Sequence, residues 1–78
     1  MAVDAYILIQ TEVGHAVEVA TAARSISGVQ EVHEVTGPYD VIVRCTADNI
    51  NDLGRLVVQR VQMVPGISRT LTCPVVNF

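Results

Sequence analysis

The residues best suited to chemistry lie in a predicted hairpin at mid-chain, Gly37-Pro38-Tyr39-Asp40. Glycine tolerates positive φ, proline fixes φ and aspartate bonds to nearby backbone, so this composition is typical of a tight turn. The turn joins two runs of strand-forming residues, Val29–Thr36 and Val41–Thr46. The carboxylate of Asp40 has no basic residue beside it in the sequence. If the chain recognises a small molecule, we expect this hairpin tip to take part.

The other polar residues form no catalytic or metal-binding pattern. His15 and His33 are far apart and lack the spacing of metal ligands. Glu31 and Glu34 fall on opposite faces of a predicted strand, so they do not form a catalytic pair. No Ser/His/Asp set, Cys/His set, phosphate loop or redox pair is present. We therefore expect no catalytic residues, no metal site and no cofactor.

Two cysteines, Cys45 and Cys73, lie inside apolar, strand-like runs. Neither belongs to a Cys-x-x-Cys motif or a Cys/His cluster. We predict that both are buried, reduced thiols, which pack as small hydrophobic residues.

Charge and hydropathy limit the classes of partner. The net charge is −3, there is no lysine, and the five basic residues are scattered arginines. No basic stripe is available to neutralise a run of phosphates, so we expect no direct contact with nucleic acid. No apolar run approaches the ~20 residues of a membrane-spanning helix, and no basic segment precedes the first strand. The sequence predicts a cytoplasmic protein without a membrane contact.

Hydrophobic periodicity predicts a single domain, residues 1–78, with the element order β-α-β-β-α-β. The first strand is apolar on both faces, which favours a central position covered on both sides. The second strand is the most polar, which favours an edge. The predicted strands are Val3–Gln10, Val29–Thr36, Val41–Thr46 and Ile67–Cys73. The predicted helices are His15–Ser27 and a second helix that Thr46 or Asp48 caps and that runs to about Met63.

This order predicts an α+β, ferredoxin-like fold. Right-handed crossovers place both helices on one face of a four-stranded antiparallel sheet. The Gly28-Val29 step after the first helix is similar to Gly66-Ile67 after the second, which indicates a faint internal repeat. Hydrophobic residues make up 50% of the chain and charged residues only 17%. One small core cannot bury that much apolar surface, so we expect the bare sheet face to associate with a second copy.

Three sequence features together resemble the ligand-binding domain, or RAM domain, of the Lrp/AsnC family of feast/famine regulators. They are the hairpin Gly37-Pro38-Tyr39-Asp40, the Gly28-Val29 step, and the closing stretch Val64-Pro65-Gly66-Ile67-Ser68-Arg69-Thr70-Leu71-Thr72. The resemblance covers nearly the whole chain. It implies a homodimer of the dimeric α+β barrel type, formed through the sheets, and often a ring of four dimers.

The resemblance also implies an effector, usually an amino acid, that binds between dimers near the hairpin. By position, Gly37, Tyr39 and Asp40 would line this pocket from the hairpin, and Thr70 and Thr72 from the last strand. An amino acid needs an acceptor for its ammonium group, which Asp40 offers. It also needs neutral donors for its carboxylate, which hydroxyl groups or backbone N–H groups offer.

The chain departs from the family regulators in one respect: it begins at the first strand, without the helix-turn-helix domain that precedes this domain in them. We therefore expect a stand-alone sensing module of transcriptional regulation or metabolism. One alternative is an assembly subunit that binds no ligand and joins itself or a full-length regulator of the same family. Another is a small enzyme of the dimeric α+β barrel type, such as a cofactor-free monooxygenase. The scarcity of polar strand residues disfavours the enzyme.

Overall fold

The computed structural model describes residues 2–76 and has the predicted order β-α-β-β-α-β. The strands are β1 (Val3–Thr11), β2 (Val29–Glu34), β3 (Val41–Ala47) and β4 (Ile67–Pro74), and the helices are α1 (Ala16–Arg24) and α2 (Ile50–Leu56). The second helix, α2, continues directly into a π-helical segment, Val57–Val61. The α+β, ferredoxin-like fold predicted from the sequence is confirmed.

The four strands form one antiparallel sheet in the order β2-β3-β1-β4. The predictions that β1 is central and that β2 lies at an edge are therefore confirmed. Only one face of β1 is covered in the single chain, however, since Tyr6 on the other face is 44% exposed. In the register of the sheet, Ile7 of β1 lies opposite Val43 of β3 and opposite Thr72 of β4.

The core lies between the helices and one face of the sheet. Alternate residues of the two central strands point into it and are fully buried. They are Ala5, Ile7, Ile9, Val41, Val43 and Cys45. The helices contribute Val19, Ala20, Ala23, Leu53, Val57 and Val61. Each fully buried valine or isoleucine stabilises the fold by roughly 1.5–3 kcal/mol, so this face accounts for most of the stability. The opposite face of the sheet carries no helix, and we call it the open face.

Two glycines show that the internal repeat is structural. Gly28 and Gly66 each follow a helix at positive φ, +96° and +94°. The carbonyl oxygen of Gly28 accepts a hydrogen bond from the Thr46 N–H at 2.9 Å, and that of Gly66 accepts one from the Glu12 N–H at 2.8 Å. Each glycine thus ties the start of one strand to the neighbouring strand. A Cβ atom on Gly28 would lie 3.0 Å from the Thr46 carbonyl oxygen.

The helices are shorter than the sequence predicts. α1 ends at Arg24 rather than Ser27, because the N–H groups of Ser25 and Ile26 bond three residues back, to Ala22 and Ala23. α2 ends at Leu56, and the π segment continues it only to Val61, short of Met63.

The residues at the start of α2 also differ from expectation. The cap is Asn49, and not Asp48 or Thr46, because the Oδ1 atom of Asn49 accepts the Asp52 N–H at 2.8 Å. Ile50, the first residue of α2, has the helical spacing of the buried residues Leu53, Val57 and Val61, and this spacing predicts that it is buried too. In the structure it is 59% exposed.

The two cysteines have different environments, so the prediction that both are buried is wrong for Cys73. Cys45 lies in the core, where burial raises the pKa of its thiol and the nearby Asp4 carboxylate raises it further. Cys73 is exposed, because β4 places it opposite Tyr6 on the open face.

Two glycine substitutions should change stability in opposite directions. We expect Gly28→Ala to lower the free energy of unfolding by about 1–2 kcal/mol or more, because an L residue is strained at positive φ and its Cβ would press on Thr46. We expect Gly54→Ala to raise it by about 0.5–1 kcal/mol, because Gly54 is helical and its Cβ would meet no atom within 4 Å. Urea unfolding followed by circular dichroism measures both. Equal effects from the two variants would contradict the assigned backbone at Gly28.

Candidate functional site

The hairpin tip is fixed to the end of the central strand by backbone hydrogen bonds. The Val35 N–H donates to the Asp40 carbonyl oxygen at 2.9 Å and closes the loop. The Asp40 N–H donates to the Ile9 carbonyl oxygen at 2.9 Å, which joins the loop to β1. Gly37, at the tip, has φ +127°, a conformation that favours glycine. The hairpin therefore holds Asp40 in one place beside β1.

The carboxylate of Asp40 has one bonded oxygen and one that remains available. Its Oδ2 atom accepts the Thr11 N–H at 2.8 Å and the Thr11 hydroxyl at 3.2 Å. Within residues 2–76, Oδ1 has no hydrogen-bond partner. The carboxylate is only partly buried, so Oδ1 can accept a hydrogen bond from a ligand.

A second set of contacts brings the start of β4 to the same end of the sheet. The Gln10 side-chain amide donates to the Pro38 carbonyl oxygen at 3.0 Å, and this hydrogen bond is a further attachment of the hairpin to β1. The Ser68 hydroxyl donates to the Gln10 carbonyl oxygen at 3.1 Å. A register irregularity lies here, because Gln10 faces Arg69 whereas Thr11 faces Ile67. We call this region, defined by Gln10, Thr11, the loop 37–40 and Ser68–Thr70, the hairpin end of the sheet.

A polar cleft opens beside the start of β4. It measures about 310 Å³ and is lined by Gln62, Ile67, Ser68, Arg69 and Thr70. The Gln62 amide donates to the Thr70 hydroxyl at 3.3 Å across it. Arg69 forms no ion pair within the part of the chain that the structure describes. The cleft therefore offers a cation and hydroxyl groups to a ligand of metabolite size.

Four of the five predicted ligand-binding residues lie at the hairpin end. Gly37, Tyr39 and Asp40 belong to the loop, and Thr70 lies across β1 from it, opposite Ile9. The fifth, Thr72, lies two residues farther along β4. It lines a separate apolar groove between α2 and β4, of about 270 Å³. The ligand-binding roles of all five residues remain predictions.

Sequence reasoning missed four residues of the hairpin end: Gln10, Thr11, Ser68 and Arg69. These residues are apart in the chain, and Ser68 reaches Gln10 across 58 positions. Strand pairing between β1 and β4 brings them together, and only the register of that pairing identifies them. The change from apolar to polar residues at the end of β1, at Gln10-Thr11, was the one available signal.

Across residues 2–76 no group of three or more His, Cys, Asp or Glu side chains is placed to hold a metal ion. No helix within this range is long and apolar enough to cross a membrane.

The Asp40–Thr11 contact should contribute to stability. We expect Asp40→Ala to lower the free energy of unfolding by about 1–2 kcal/mol, since it leaves the Thr11 N–H without its acceptor in a partly buried place. Asp48→Ala, at an exposed position, should change it by less than about 0.5 kcal/mol. Chemical denaturation of both variants checks this. An Asp40→Ala variant as stable as Asp48→Ala would show that the contact contributes nothing.

Comparison with known proteins identifies the family of this chain. The family model described as the Lrp/AsnC ligand binding domain matches residues 4–77. The HTH-type transcriptional regulator PH1916 of Pyrococcus horikoshii is 36% identical over 55 residues, which cover 70% of this chain and 37% of that protein. The homocitrate synthase of Sulfurisphaera tokodaii is 40% identical over 47 residues, 60% of this chain and 10% of the synthase. The chain thus spans well under half the length of these curated relatives.

Solved structures share the fold of this chain. The crystal structure of TTHA0845 from Thermus thermophilus has a TM-score of 0.91 at 26% identity, covering 97% of this chain and 95% of that one. The transcriptional regulator NMB0573 of Neisseria meningitidis, solved as a complex with L-Met, has a TM-score of 0.85 at 18% identity. It covers 96% of this chain and 50% of the regulator, and at that identity it shows the shared fold. The chain belongs to the Lrp/AsnC ligand-binding domain family.

Proposed function

We propose that the chain is an oligomeric sensing module that binds an amino acid at the hairpin end of its sheet. It signals to the proteins with which it assembles that this effector is present, in transcriptional regulation or in metabolism. The proposal rests on one observation. Asp40 and Arg69 lie on either side of the end of β1. The carboxylate of Asp40 has an available oxygen, and the guanidinium of Arg69 has no ion-pair partner in residues 2–76.

These two groups match the two charges of an amino acid. Neighbouring strands are about 4.8 Å apart, so the backbones on either side of β1 are about 10 Å apart, a gap that the side chains narrow. Asp40 accepts from the ammonium group, and the Arg69 guanidinium donates to the carboxylate. Hydrogen bonds between charged groups are roughly twice as strong as neutral ones, so this pair gives both affinity and orientation. Tyr39, half-buried in the loop, covers the bound molecule.

The relatives support this effector class. NMB0573, which shares the fold, was solved as a complex with an amino acid, L-Met. In the present chain the proposed donors and acceptors recognise the backbone groups that all amino acids share. The side chain of the effector would face the rest of the site.

The open face supports association into a homodimer. Tyr6 is 44% exposed and Leu71 is 46% exposed, and Cys73 lies beside them. The open face carries two acidic residues, Asp4 and Glu31, and two basic residues, Arg44 and Arg69, so their charges cancel. Two open faces therefore pack without net repulsion, and the burial of apolar area drives the contact at roughly 25 cal/mol per Å². Further contacts between dimers, up to a ring of four, would place the hairpin ends near one another.

Two kinds of protein are candidates for the partner that receives the signal. The match to PH1916 favours an HTH-type transcriptional regulator of the same family, which the chain would join as a mixed assembly. The match to homocitrate synthase favours a biosynthetic enzyme, since part of this sequence is similar to a segment of that enzyme. Pull-down from the native source with a tagged chain, with and without amino acids, separates the two candidates.

Amino-acid binding should depend on the charge of Asp40. In Asp40→Asn an oxygen remains to accept from Thr11, but the negative charge is lost. We expect the fold to persist and the affinity for the best of the twenty amino acids, measured by calorimetry, to fall about ten- to a hundredfold, or about 1.5–3 kcal/mol.

Asp48→Asn, an exposed aspartate outside the hairpin end, is the matched control and should bind like the unchanged protein. Unchanged affinity in Asp40→Asn would remove Asp40 from the site. The absence of any amino-acid binding would contradict the proposed function.

Association through the open face should protect Cys73 from alkylation. We expect a thiol reagent to modify Cys73 quickly in dilute solution and more than tenfold more slowly at concentrations where light scattering detects the assembly. Cys45 should stay slow at both concentrations, because it is buried and its thiol has a raised pKa. A Cys45→Ala variant isolates the Cys73 signal. A Cys73 rate that is the same in monomer and assembly would rule out the open face as the contact.

A further inference from the structure

The two edges of the sheet differ in how they are protected against pairing with a further strand. The edge strand β2 carries two carboxylates, Glu31 and Glu34, and its register shifts after Val29. Charged side chains and bulges keep an edge from pairing with another chain. The other edge strand, β4, has a regular register from Arg69 to Pro74, and Arg69 is its only charged residue. The edge of β4 is therefore the one that is open to pairing.

A hydrogen bond at the end of β4 fixes which of its residues bond to β1. The Val75 N–H donates to the Asp4 carbonyl oxygen at 2.8 Å. In an antiparallel pair, every second residue exchanges hydrogen bonds with the partner strand. Cys73 and Leu71 therefore also direct their backbone groups toward β1.

The residues between them direct their backbone groups away from the sheet. Thr70 and Thr72 turn their N–H and C=O groups outward, and no strand lies beyond β4 within residues 2–76. Pro74 has the same direction, and the outer side of an edge strand is where a residue without an N–H is accepted. A row of unpaired backbone donors and acceptors is complementary to another extended strand. The chemistry of this edge thus selects a strand as its partner.

One antiparallel register pairs β4 with β4 of a second copy and uses every outward threonine N–H. When Leu71 lies opposite Leu71 of the second copy, Thr70 lies opposite Thr72 on both sides of the twofold axis. All four threonine N–H groups then meet a carbonyl oxygen. A register centred on Thr72 would place Thr70 opposite Pro74, which has no N–H to donate. A register centred on Thr70 would place Thr72 opposite Ser68, where the pairing of β4 is irregular.

The side chains are compatible with this register. On the helix side of the sheet each contact joins two threonines, which form a favourable cross-strand pair. On the open face, Leu71 meets its counterpart, and it is 46% exposed in the single chain, so it gains burial. Arg69 lies opposite Cys73 of the second copy, so no two like charges face each other directly.

We propose that two copies pair through their β4 edges, in the register centred on Leu71, and join their four-stranded sheets into one continuous sheet. This contact is separate from the packing of open faces in the proposed function. It leaves the open face of the joined sheet uncovered. Both contacts therefore form in one assembly, which is larger than a dimer.

Hydrogen exchange, followed by nuclear magnetic resonance on the unmodified protein, tests the pairing without any substitution. We expect the Thr70 and Thr72 amides to exchange quickly in dilute solution. They should exchange more than tenfold more slowly at concentrations where light scattering shows an assembly. The Leu71 and Cys73 amides, which bond to β1, are the control within the same strand and should be slow at both concentrations.

A proline at position 72 tests whether the outward N–H is needed. We expect Thr72→Pro to lower the mass of the assembly, measured by sedimentation equilibrium, to that of the open-face dimer. Its circular dichroism spectrum should be unchanged, because the lost N–H faces away from β1. Thr72→Val is similar in shape and keeps the N–H, so it should assemble like the unchanged protein. If Thr72→Pro fails to fold, hydrogen exchange still decides.

A cysteine at the proposed twofold axis tests the register. In Leu71→Cys combined with Cys73→Ser, the two Cα atoms at position 71 would be about 4.5 Å apart, so oxidised glutathione should link the two copies. Ser68→Cys in the same background would place the two positions roughly 20 Å apart along the strands and should give no link. Adding Thr72→Pro to the Leu71→Cys variant should abolish its link.

Each of the following results would overturn the inference. Thr70 and Thr72 amides that exchange equally fast in dilute and assembled protein overturn it and leave the open-face association standing. A folded Thr72→Pro variant with an assembly of unchanged mass, or a Leu71→Cys link that survives Thr72→Pro, places the contact elsewhere. A monomeric mass at every concentration overturns both contacts.

Discussion

The sheet has helices on one face only, and most features of the molecule follow from this constraint. Both crossover helices fill the same side, where the inward residues of β1 and β3 are completely buried. The open face is left to water in a single chain. Apolar side chains on that face remain exposed, with Tyr6 at 44% and Leu71 at 46%. Burial of this apolar area favours association, and it is the physical basis of the proposed dimer.

The same architecture positions the hairpin end. β1 is central, so its last residues are reached both from the loop before β3 and from the start of β4. Hydrogen bonds from Gln10 and Thr11 hold the loop, and the Ser68 hydroxyl holds β4 to the same residues. A ligand bound there touches two segments that are distant in sequence.

Much of the fold was predictable because its signals are local. Apolar residues on both faces identified β1 as central, and the polarity of β2 identified it as an edge. The two glycine steps indicated the repeat that Gly28 and Gly66 form. Helix ends were less predictable, since Asn49 outcompetes Asp48 as a cap through a single hydrogen bond. Ile50 and Cys73 were misplaced because periodicity says which face a residue occupies and not whether another element covers that face.

The candidate site was predictable only in part. The hairpin residues were found because glycine, proline and aspartate mark a turn by composition. Thr11 and Arg69 were not found, because their proximity depends on the pairing register of strands that are far apart in the chain. The Asp40–Thr11 contact also gives Asp40 a structural role beside its proposed role in binding.

The central claim is that an amino acid binds at the hairpin end, and a nuclear magnetic resonance titration tests it most directly. The backbone amide signals of uniformly labelled protein would be followed while each of the twenty amino acids is added. The account predicts that at least one amino acid shifts the signals of Gly37, Tyr39, Asp40, Thr11 and Ser68–Thr70 more than those of α1. Saturable shifts confined to the open face or to α1, or no shifts with any amino acid, would contradict it.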